Sequence, residues 1–351
     1  MTEHQPERKK RFVKKKKDPV SISDLKAGVL NGDRSHLAKA ITLIESNAEE
    51  HYALGQELLQ ELLPHTGNSF RIGITGVPGA GKSTFIEQFG EMLCNGGHSV
   101  AVLAIDPSSS ISGGSILGDK TRMEQLSKNP RAFVRPSPTA GTLGGVHRKT
   151  NETLLLCEAA GYDLIIIETV GVGQSEVMVR QMVDFFLLLV ITGAGDELQG
   201  MKKGIMELAD VLLVNKADGE NKPLAEKTRR ELNQILHFLV PATKGWSSKA
   251  YTCSALKNEG LKELWDVVQQ FEEQTKDQGV FEKRRLHQKQ EWFQTMLKER
   301  ILSDFFYHPR IKSSLPRLED RVKTGDFTTS QAVEELLTQY KQAILDGNRS
   351  F

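Results

Sequence analysis

The chain has 351 residues, of which 38% are hydrophobic and 26% are charged, and its formal net charge is +1. This composition is typical of a soluble globular protein, and it creates no overall field that would attract nucleic acid or an acidic membrane. The longest obvious apolar run, FFLLLVI at 185–191, is much shorter than the ~20 residues that a membrane-spanning helix needs.

Basic residues are concentrated at the amino terminus. Residues 1–20 contain eight lysines and arginines against three acidic residues. Blocks of like charge are usually solvated and disordered, so we predict a basic disordered tail, with an arm for nucleic acid or lipid as the alternative. The segment has no apolar core of the kind found in secretory signals. Apolar residues at helical spacing over 21–67 then predict an N-terminal helical segment.

Short apolar runs alternate with helical patterns over 68–275. Continuous rather than alternating apolarity indicates strands buried on both faces, as in a parallel sheet between two helical layers. We therefore predict a doubly wound, mostly parallel α/β domain. The six predicted strands are SFRIGIT (69–75), SVAVLAI (99–105), DLIIIE (163–168), FFLLLVI (185–191), DVLLVN (210–215) and AYTCSA (250–255).

The pattern becomes helical again over 276–351. One amphipathic helix is predicted to carry Trp292, Met296, Leu297, Ile301 and Phe305 along one face. A second helix follows, with a predicted break at YHPRIKSSLP (307–316) between them. These helices need a partner surface, and either a dimerisation arm or a packed lid would supply one.

The stretch GVPGAGKS at 76–83 matches the pattern G-x-x-x-x-G-K-[ST] and lies between a predicted strand and a predicted helix. Glycines allow consecutive backbone N–H groups to face phosphate oxygens, and the following helix adds its positive amino-terminal end. Lys82 is suited to neutralise the β- and γ-phosphates, and the Ser83 hydroxyl to bind Mg²⁺. The predicted phosphate-binding residues are Gly76, Val77, Pro78, Gly79, Ala80, Gly81, Lys82, Ser83 and Thr84.

Two carboxylates follow predicted strands and complete the expected metal site. Asp106 comes after AVLAI, and Glu168 comes after DLIII. Both would emerge at the carboxyl edge of the sheet, where ligands bind in such folds. Mg²⁺ prefers oxygen ligands and keeps several waters, so Ser83, Asp106 and Glu168 are the predicted metal ligands.

The base is predicted from NKAD, which directly follows the apolar run DVLLV. A carboxylate at this strand end can accept both the N1–H and the exocyclic N2–H₂ of guanine, and adenine offers no such pair of donors. The segment CSAL follows the last predicted strand, where a backbone N–H could meet guanine O6. GTP and GDP are therefore the predicted nucleotides, and their predicted base-binding residues are Asn215, Lys216, Asp218, Ser254, Ala255 and Leu256.

Four longer stretches resemble the MeaB/ArgK family of GTPases. They are DPSSSISGGSILGDKTRM (106–123), SPTAGTLGGVHRKT (137–150), ETVGVGQSEV (168–177) and GAGDELQGMKKGI (193–205). The likeness extends from the N-terminal helices into the C-terminal helices. Members of this family guard adenosylcobalamin-dependent acyl-CoA mutases, chiefly methylmalonyl-CoA mutase, by gating cofactor delivery and ejecting damaged cofactor. They are typically homodimers joined through the C-terminal helices.

The nucleotide motifs predict a Mg²⁺-dependent GTPase domain over 68–275 in a cytoplasmic protein, and the resemblance implies a C-terminal helical dimerisation arm over 276–351. We predict slow GTP hydrolysis that accelerates when the partner orders the switch segments. The resemblance implies that Asp119 handles metal or water, so that Lys82, Asp106, Asp119 and Glu168 form the expected catalytic set. It also implies switch segments after Asp106, at 171–177 and at 193–203. The last would relay nucleotide state through Asp196, Glu197 and Lys202, and a plain polar loop is the alternative for it.

Some positions differ from what the family leads us to expect. His147 and Asn151 stand where alanine and arginine are expected, and Thr192 stands where proline is frequent. No glutamine lies where Ras-type GTPases place theirs, although Gln174 is near Gly171.

Two other functions share parts of this pattern. A nickel-insertion GTPase would usually carry clusters of histidine or cysteine, whereas Cys94, Cys157 and Cys253 are isolated and form no CxxC pair, which favours a reducing cytoplasm. A kinase or ATPase linked to basic amino-acid transport would need a membrane partner, and the chain has no predicted membrane span.

Overall fold

The computed structural model describes residues 21–46, 48–105, 123–136, 143–169, 175–192 and 203–347. These residues form seven strands, thirteen α-helices and two short 3₁₀ helices. The strands are β1 (Phe70–Gly76), β2 (Val100–Ile105), β3 (Ala132–Pro136), β4 (Leu164–Thr169), β5 (Phe185–Val190), β6 (Val211–Val214) and β7 (Lys249–Thr252). The helices are α1 (Ile22–Leu30), α2 (Arg34–Glu45), α3 (Glu49–Leu62), α4 (Lys82–Asn95), α5 (Glu124–Lys128), α6 (Leu143–Ala159), α7 (Ser175–Arg180), α8 (Lys203–Leu208), α9 (Lys222–Leu236), α10 (Leu261–Asp277), α11 (Val280–Phe306), α12 (Pro309–Thr324) and α13 (Thr329–Gly347).

The strands form one sheet in the order β3-β2-β4-β1-β5-β6-β7, and every neighbouring pair is parallel. All residues of β2, β4, β5 and β6 are buried, which is why these strands appear in the sequence as continuous apolar runs. The predicted doubly wound α/β class is confirmed. Because the strands are parallel, the carboxyl ends of β1, β4, β5 and β6 meet at one edge, and the candidate site is built there.

Strand β3 was not predicted from the sequence. It has five residues, it contains Arg135, and it ends at Pro136. It pairs only with β2, so it lies at the edge of the sheet, where a proline and a polar residue are tolerated. A short segment of this kind lacks the continuous apolarity that reveals the central strands.

The N-terminal helices share one hydrophobic core with the sheet. Leu25, Ile41 and Leu62 are buried in the same cluster as Ile72 of β1 and Leu156 of α6. The helices over 21–67 therefore pack on the sheet domain as part of one folded body. The predicted domain boundaries stay predictions.

The predicted break at 307–316 is wrong, because residues 309–324 form helix α12. His308 is its N-cap, and Pro309 occupies the first helical position, where a missing N–H has no cost. Pro316 lies inside the helix, but burial of Ile311 and Leu318 in a separate small core with α13 offsets the lost hydrogen bond.

Helix α11 has no fully buried residue. Of the predicted apolar face, Trp292, Met296 and Phe305 are half-buried, whereas Leu297 and Ile301 are 49% and 56% exposed. Within the described parts of the chain, no helix is both long and apolar enough to cross a membrane.

Candidate nucleotide site

The loop between β1 and α4 has the backbone that its glycines suggest. Gly79 and Gly81 have φ angles of 79° and 80°, in the left-handed region that favours glycine, and Gly81 is the N-cap of α4. The turn is closed by a hydrogen bond from Ala80 N to Val77 O at 3.1 Å. Helix α4 therefore begins at Lys82 with its positive end facing the loop.

Gly76 and Gly79 predict a contrast between two alanine variants. A Cβ at Gly76 would overlap the backbone oxygen of Leu189 in β5, whereas a Cβ at Gly79 would meet open space. We expect Gly79→Ala to cost roughly 1–2 kcal/mol of stability from backbone strain alone. Gly76→Ala should lower the free energy of unfolding by about 3 kcal/mol, because the backbone of Gly76 or of Leu189 must move to make room for the Cβ. Urea unfolding measures the stability of both variants. Equal losses of stability in the two variants would contradict the predicted clash with Leu189.

Lys82 turns back over the loop. Its Nζ donates to the carbonyl oxygens of Gly76 at 2.8 Å and Val77 at 3.4 Å. Burial lowers the pKa of this ammonium, and the carboxylates of Glu168 and Glu176 oppose that shift. The side chain of Lys82, a predicted phosphate-binding residue, thus lies over the phosphate loop. Glu176 falls in the predicted switch segment 171–177, but its effect on Lys82 was not predicted, because only the tertiary fold brings the first turn of α7 towards Lys82.

The residues present at the predicted metal site fit Mg²⁺. Ser83 Oγ donates to Glu168 Oε1 at 3.4 Å, and Glu168 is buried at the carboxyl end of β4. A hydroxyl and a carboxylate are hard oxygen ligands of the kind Mg²⁺ prefers. The other predicted catalytic and switch residues lie outside the described residues: Asp106, Asp119, Gln174, Asp196, Glu197 and Lys202.

Asn215 connects the phosphate loop to the two predicted base-binding segments. Its Nδ2 donates to Ala80 O at 2.8 Å. Its Oδ1 accepts from the backbone N of Ala255 at 3.2 Å and from Cys253 Sγ at 3.3 Å. The side chain is buried, so these contacts hold the three segments together at the edge of the sheet.

Asp218 lies beside the segment that follows β7. Its carboxylate accepts a hydrogen bond from Ser254 Oγ, which in turn accepts from Lys257 N at 3.2 Å. The backbone N–H groups of Ser254 and Ala255 donate to Glu259 O and Asn215 Oδ1. Their predicted role at guanine O6 stays a prediction. Lys216, with a φ angle of 61°, and Leu256 are exposed.

Thr192 has a contact that the expected proline could not make. Its Oγ1 donates to Asn221 Oδ1 at 2.7 Å, and Asn221 Nδ2 donates to Lys216 O at 2.6 Å. The end of β5 is thereby tied to the NKAD loop. Asn151 is buried in α6, and the His147 side chain lies outside the described residues.

A glycine-rich loop between a strand and a helix that begins with Lys-Ser, held against an NKAD segment at the carboxyl edge of a parallel sheet, is typical of P-loop GTPases, and the chain is one of them. Comparison with known proteins narrows the class. The chain belongs to the family described as "Methylmalonyl Co-A mutase-associated GTPase MeaB", whose sequence model matches residues 37–310. The resemblance noted in the sequence is thus confirmed.

Individual relatives agree with this assignment. A "Putative GTPase" of Caulobacter vibrioides is 50% identical over 92% of this chain and 98% of its own length. A "Methylmalonic aciduria type A homolog, mitochondrial" of Mus musculus is 44% identical over 93% of this chain and 81% of its own. A solved structure described as "LAO/AO transport system kinase" superposes with a TM-score of 0.73 at 36% identity, covering 92% of this chain and 97% of that one.

Proposed function

We propose that this GTPase gates adenosylcobalamin loading of an acyl-CoA mutase, most directly methylmalonyl-CoA mutase, and protects or reactivates that enzyme. The observation that carries the proposal is the family match over 37–310, because the description of the family names association with this mutase. The name of the mouse relative, which refers to methylmalonic aciduria, supports the same direction.

The proposed hydrolysis site consists of Lys82, Asp106, Asp119 and Glu168. In this proposal the loop N–H groups of 76–84 and the Lys82 ammonium hold the β- and γ-phosphates, and the buried Glu168 carboxylate orients the Ser83 hydroxyl. Mg²⁺, bound by Ser83, Glu168 and Asp106, would neutralise phosphate charge. The protein converts GTP and water to GDP and phosphate.

The proposed base contacts rest on Asp218. Its carboxylate is held by Ser254 Oγ and would accept the two donors of guanine, while Asn215 keeps the base-binding loop against the phosphate loop. Lys216, Ala255 and Leu256 complete the proposed pocket.

We propose that the helices of 276–351 form a homodimerisation arm. Exposed apolar side chains on α11 and α13 support this proposal, because a monomer would leave them in water. They include Leu286, Phe293, Leu297, Ile301, Leu302, Val333, Ile344 and Leu345. We further propose a cytoplasmic location, with which the buried free thiols of Cys94, Cys157 and Cys253 agree.

The two alternative functions have less support. One solved structure is described as a transport kinase, but the family description and the Caulobacter relative carry the word GTPase. Among the residues that the structure describes, no group of three or more His, Cys, Asp or Glu side chains is arranged to hold a metal such as nickel.

Adding methylmalonyl-CoA mutase from the same organism is the direct test. We expect GTP turnover to rise by about tenfold or more when the mutase orders the switch segments, in line with the gains that partners give other GTPases. Lys82→Ala should abolish the stimulated rate, and Lys227→Ala, at an exposed lysine of α9, should keep it. Unchanged turnover at saturating mutase, with the basal GTPase intact, would overturn the proposed partner.

A further inference from the structure

Helix α7 lies between the phosphate loop and the arm. At its first turn, Glu176 is 1% exposed, and its carboxylate opposes the lowering of the pKa of Lys82 by burial. At its last residue, Arg180 Nη1 donates to Asp210 Oδ2 at 2.7 Å. A six-residue helix is about 9 Å long, so one short rigid element joins the two contacts. Val179 between them packs on β1, where Gly73 leaves it room.

The contact of Arg180 continues into the arm. Asp210 is wholly buried before β6, and Thr243 Oγ1 donates to its Oδ1. Arg180 Nη2 also donates to Thr243 Oγ1, at 3.0 Å. The same hydroxyl accepts a hydrogen bond from Arg284 Nη2 of α11. We call Arg180, Asp210, Thr243 and Arg284 the arm network.

Charge makes this network sensitive to displacement. Arg180 forms an ion pair with the buried Asp210, and the charges of Asp210 and Asp184 also act on Arg284, which donates to the backbone oxygen of Asp184. The pKa of Arg284 is lowered to about 10, first by burial and then by the nearby Arg180, while Asp210 and Asp184 oppose this shift. Because the groups are buried, their interaction is weakly screened, and a shift of Arg180 changes the field at Arg284.

A second anchor of α11 lies beside this network. Arg285 Nη2 and Nε donate to the two oxygens of Asp184 at 2.6 and 2.8 Å, and Nη1 donates to Gly67 O at 2.9 Å. Arg284 Nη1 donates to the backbone oxygen of the same Asp184, so Arg285 is not independent of the arm network. Lys283 of the same helix is exposed and serves as the independent control.

Further along α11, two buried polar atoms lack hydrogen-bond partners. Gln288 Nε2 donates to Val183 O at 2.8 Å, but Gln288 Oε1 and Trp292 Nε1 are buried with no hydrogen-bond partner among the described residues. Buried polar atoms without partners cost roughly 1–3 kcal/mol each. Among the described residues, the hydrogen bonds from charged groups of α11 to the body thus come from Arg284 and Arg285 in its first two turns, so the orientation of the arm depends on these anchors.

We propose that α7 couples the nucleotide bound at the phosphate loop to the orientation of the arm. A triphosphate brings additional negative charge to Lys82, which repels the buried Glu176 carboxylate and displaces α7. Arg180 follows, and the arm network carries the displacement to Arg284. Glu176 and Arg180 are positioning residues in this scheme. The proposal rests on the proposed binding of GTP at this loop.

Distance measurements between spin labels test the coupling. Labels at Gln294→Cys on α11 and Lys262→Cys on α10, both at exposed positions, report the arm relative to the sheet domain. Labelled protein is diluted with excess unlabelled protein, so that only distances within one chain are read. We expect the distribution to differ between GDP and a non-hydrolysable GTP analogue. Glu176→Gln and Arg180→Gln should remove the difference, and Lys283→Gln, at the exposed control position, should retain it.

Nucleotide affinities test the same coupling in the opposite direction. If bound nucleotide changes the orientation of the arm, a change in the arm must also change nucleotide affinity. Arg284→Gln should change the ratio of affinities for the GTP analogue and GDP by about fivefold or more, a typical lower bound for such coupling. Lys283→Gln should leave the ratio within about twofold. Arg180→Lys, which keeps a charge beside Asp210, substitutes for Arg180→Gln if the latter unfolds.

The outcomes separate this proposal from the proposed function. Fluorescent GDP binding is measured in every sample, and its absence in the wild type would overturn nucleotide binding at the loop. If nucleotide binds but the arm distance is the same with both nucleotides, the coupling is wrong. It is also wrong if the distance change survives in both α7 variants, or if Arg284→Gln and Lys283→Gln act alike.

Discussion

Asp218→Asn is expected to weaken GTP binding by a factor on the order of 10³ and to create binding for xanthosine triphosphate. The carboxylate is the proposed acceptor of both guanine donors, and two charge-assisted hydrogen bonds of about 1.5–3 kcal/mol each account for the loss. An asparagine offers one acceptor and one donor. Xanthine carries an oxygen where guanine carries its exocyclic amine, so its N1–H and O2 match the new side chain.

The expected change of ligand from GTP to XTP distinguishes altered base specificity from misfolding, because a misfolded variant would bind neither nucleotide. Asparagine keeps an oxygen that can accept from Ser254 Oγ, so the loop after β7 retains its contact. Glu220→Gln is the matched control, because it removes an exposed carboxylate two residues away. Titration with fluorescent GTP and XTP gives both affinities. Unchanged preference for GTP in Asp218→Asn would refute the proposed role of this residue in base recognition.

Lys82→Ala is expected to reduce single-turnover GTP hydrolysis by about 10²–10³, the usual effect of removing one positioned donor from developing oxyanion charge. The Lys82 ammonium lies over the loop, with Nζ 2.8 Å from Gly76 O, and no neighbouring arginine or lysine of α4 replaces it. Stability should change by only about 1 kcal/mol, since loss of two hydrogen bonds is offset by removal of a buried charge.

Lys227→Ala serves as the control, because this lysine is exposed on α9 and contacts only Glu231 among the described residues. Hydrolysis is followed with Mg²⁺ and with the protein in saturating excess over GTP, and urea unfolding is measured on the same protein preparations. A rate within about threefold of the wild type, with the nucleotide bound, would show that Lys82 does not assist phosphoryl transfer.

Most of the central sheet could be predicted, because strands buried on both faces have a local signature. The six predicted runs correspond to β1, β2, β4, β5, β6 and β7, with ends that differ by a few residues. Edge strand β3 has no such signature. Helix α12 was also missed, because Pro309 and Pro316 suggest a break to any local reading, and only burial of Ile311 and Leu318 against α13 outweighs them.

The phosphate loop and the predicted base-binding segments could also be found in the sequence. Each is a short continuous run whose residue types suit the binding of phosphate or of guanine. By itself the sequence determined the fold class, the nucleotide and the family of this protein. Only the tertiary structure decided that Asn215 joins three distant segments, that Glu176 affects Lys82, and that Arg180 and Arg284 meet at the Thr243 hydroxyl. These contacts join side chains that are far apart along the chain, and no local pattern of apolarity or spacing encodes which of them meet.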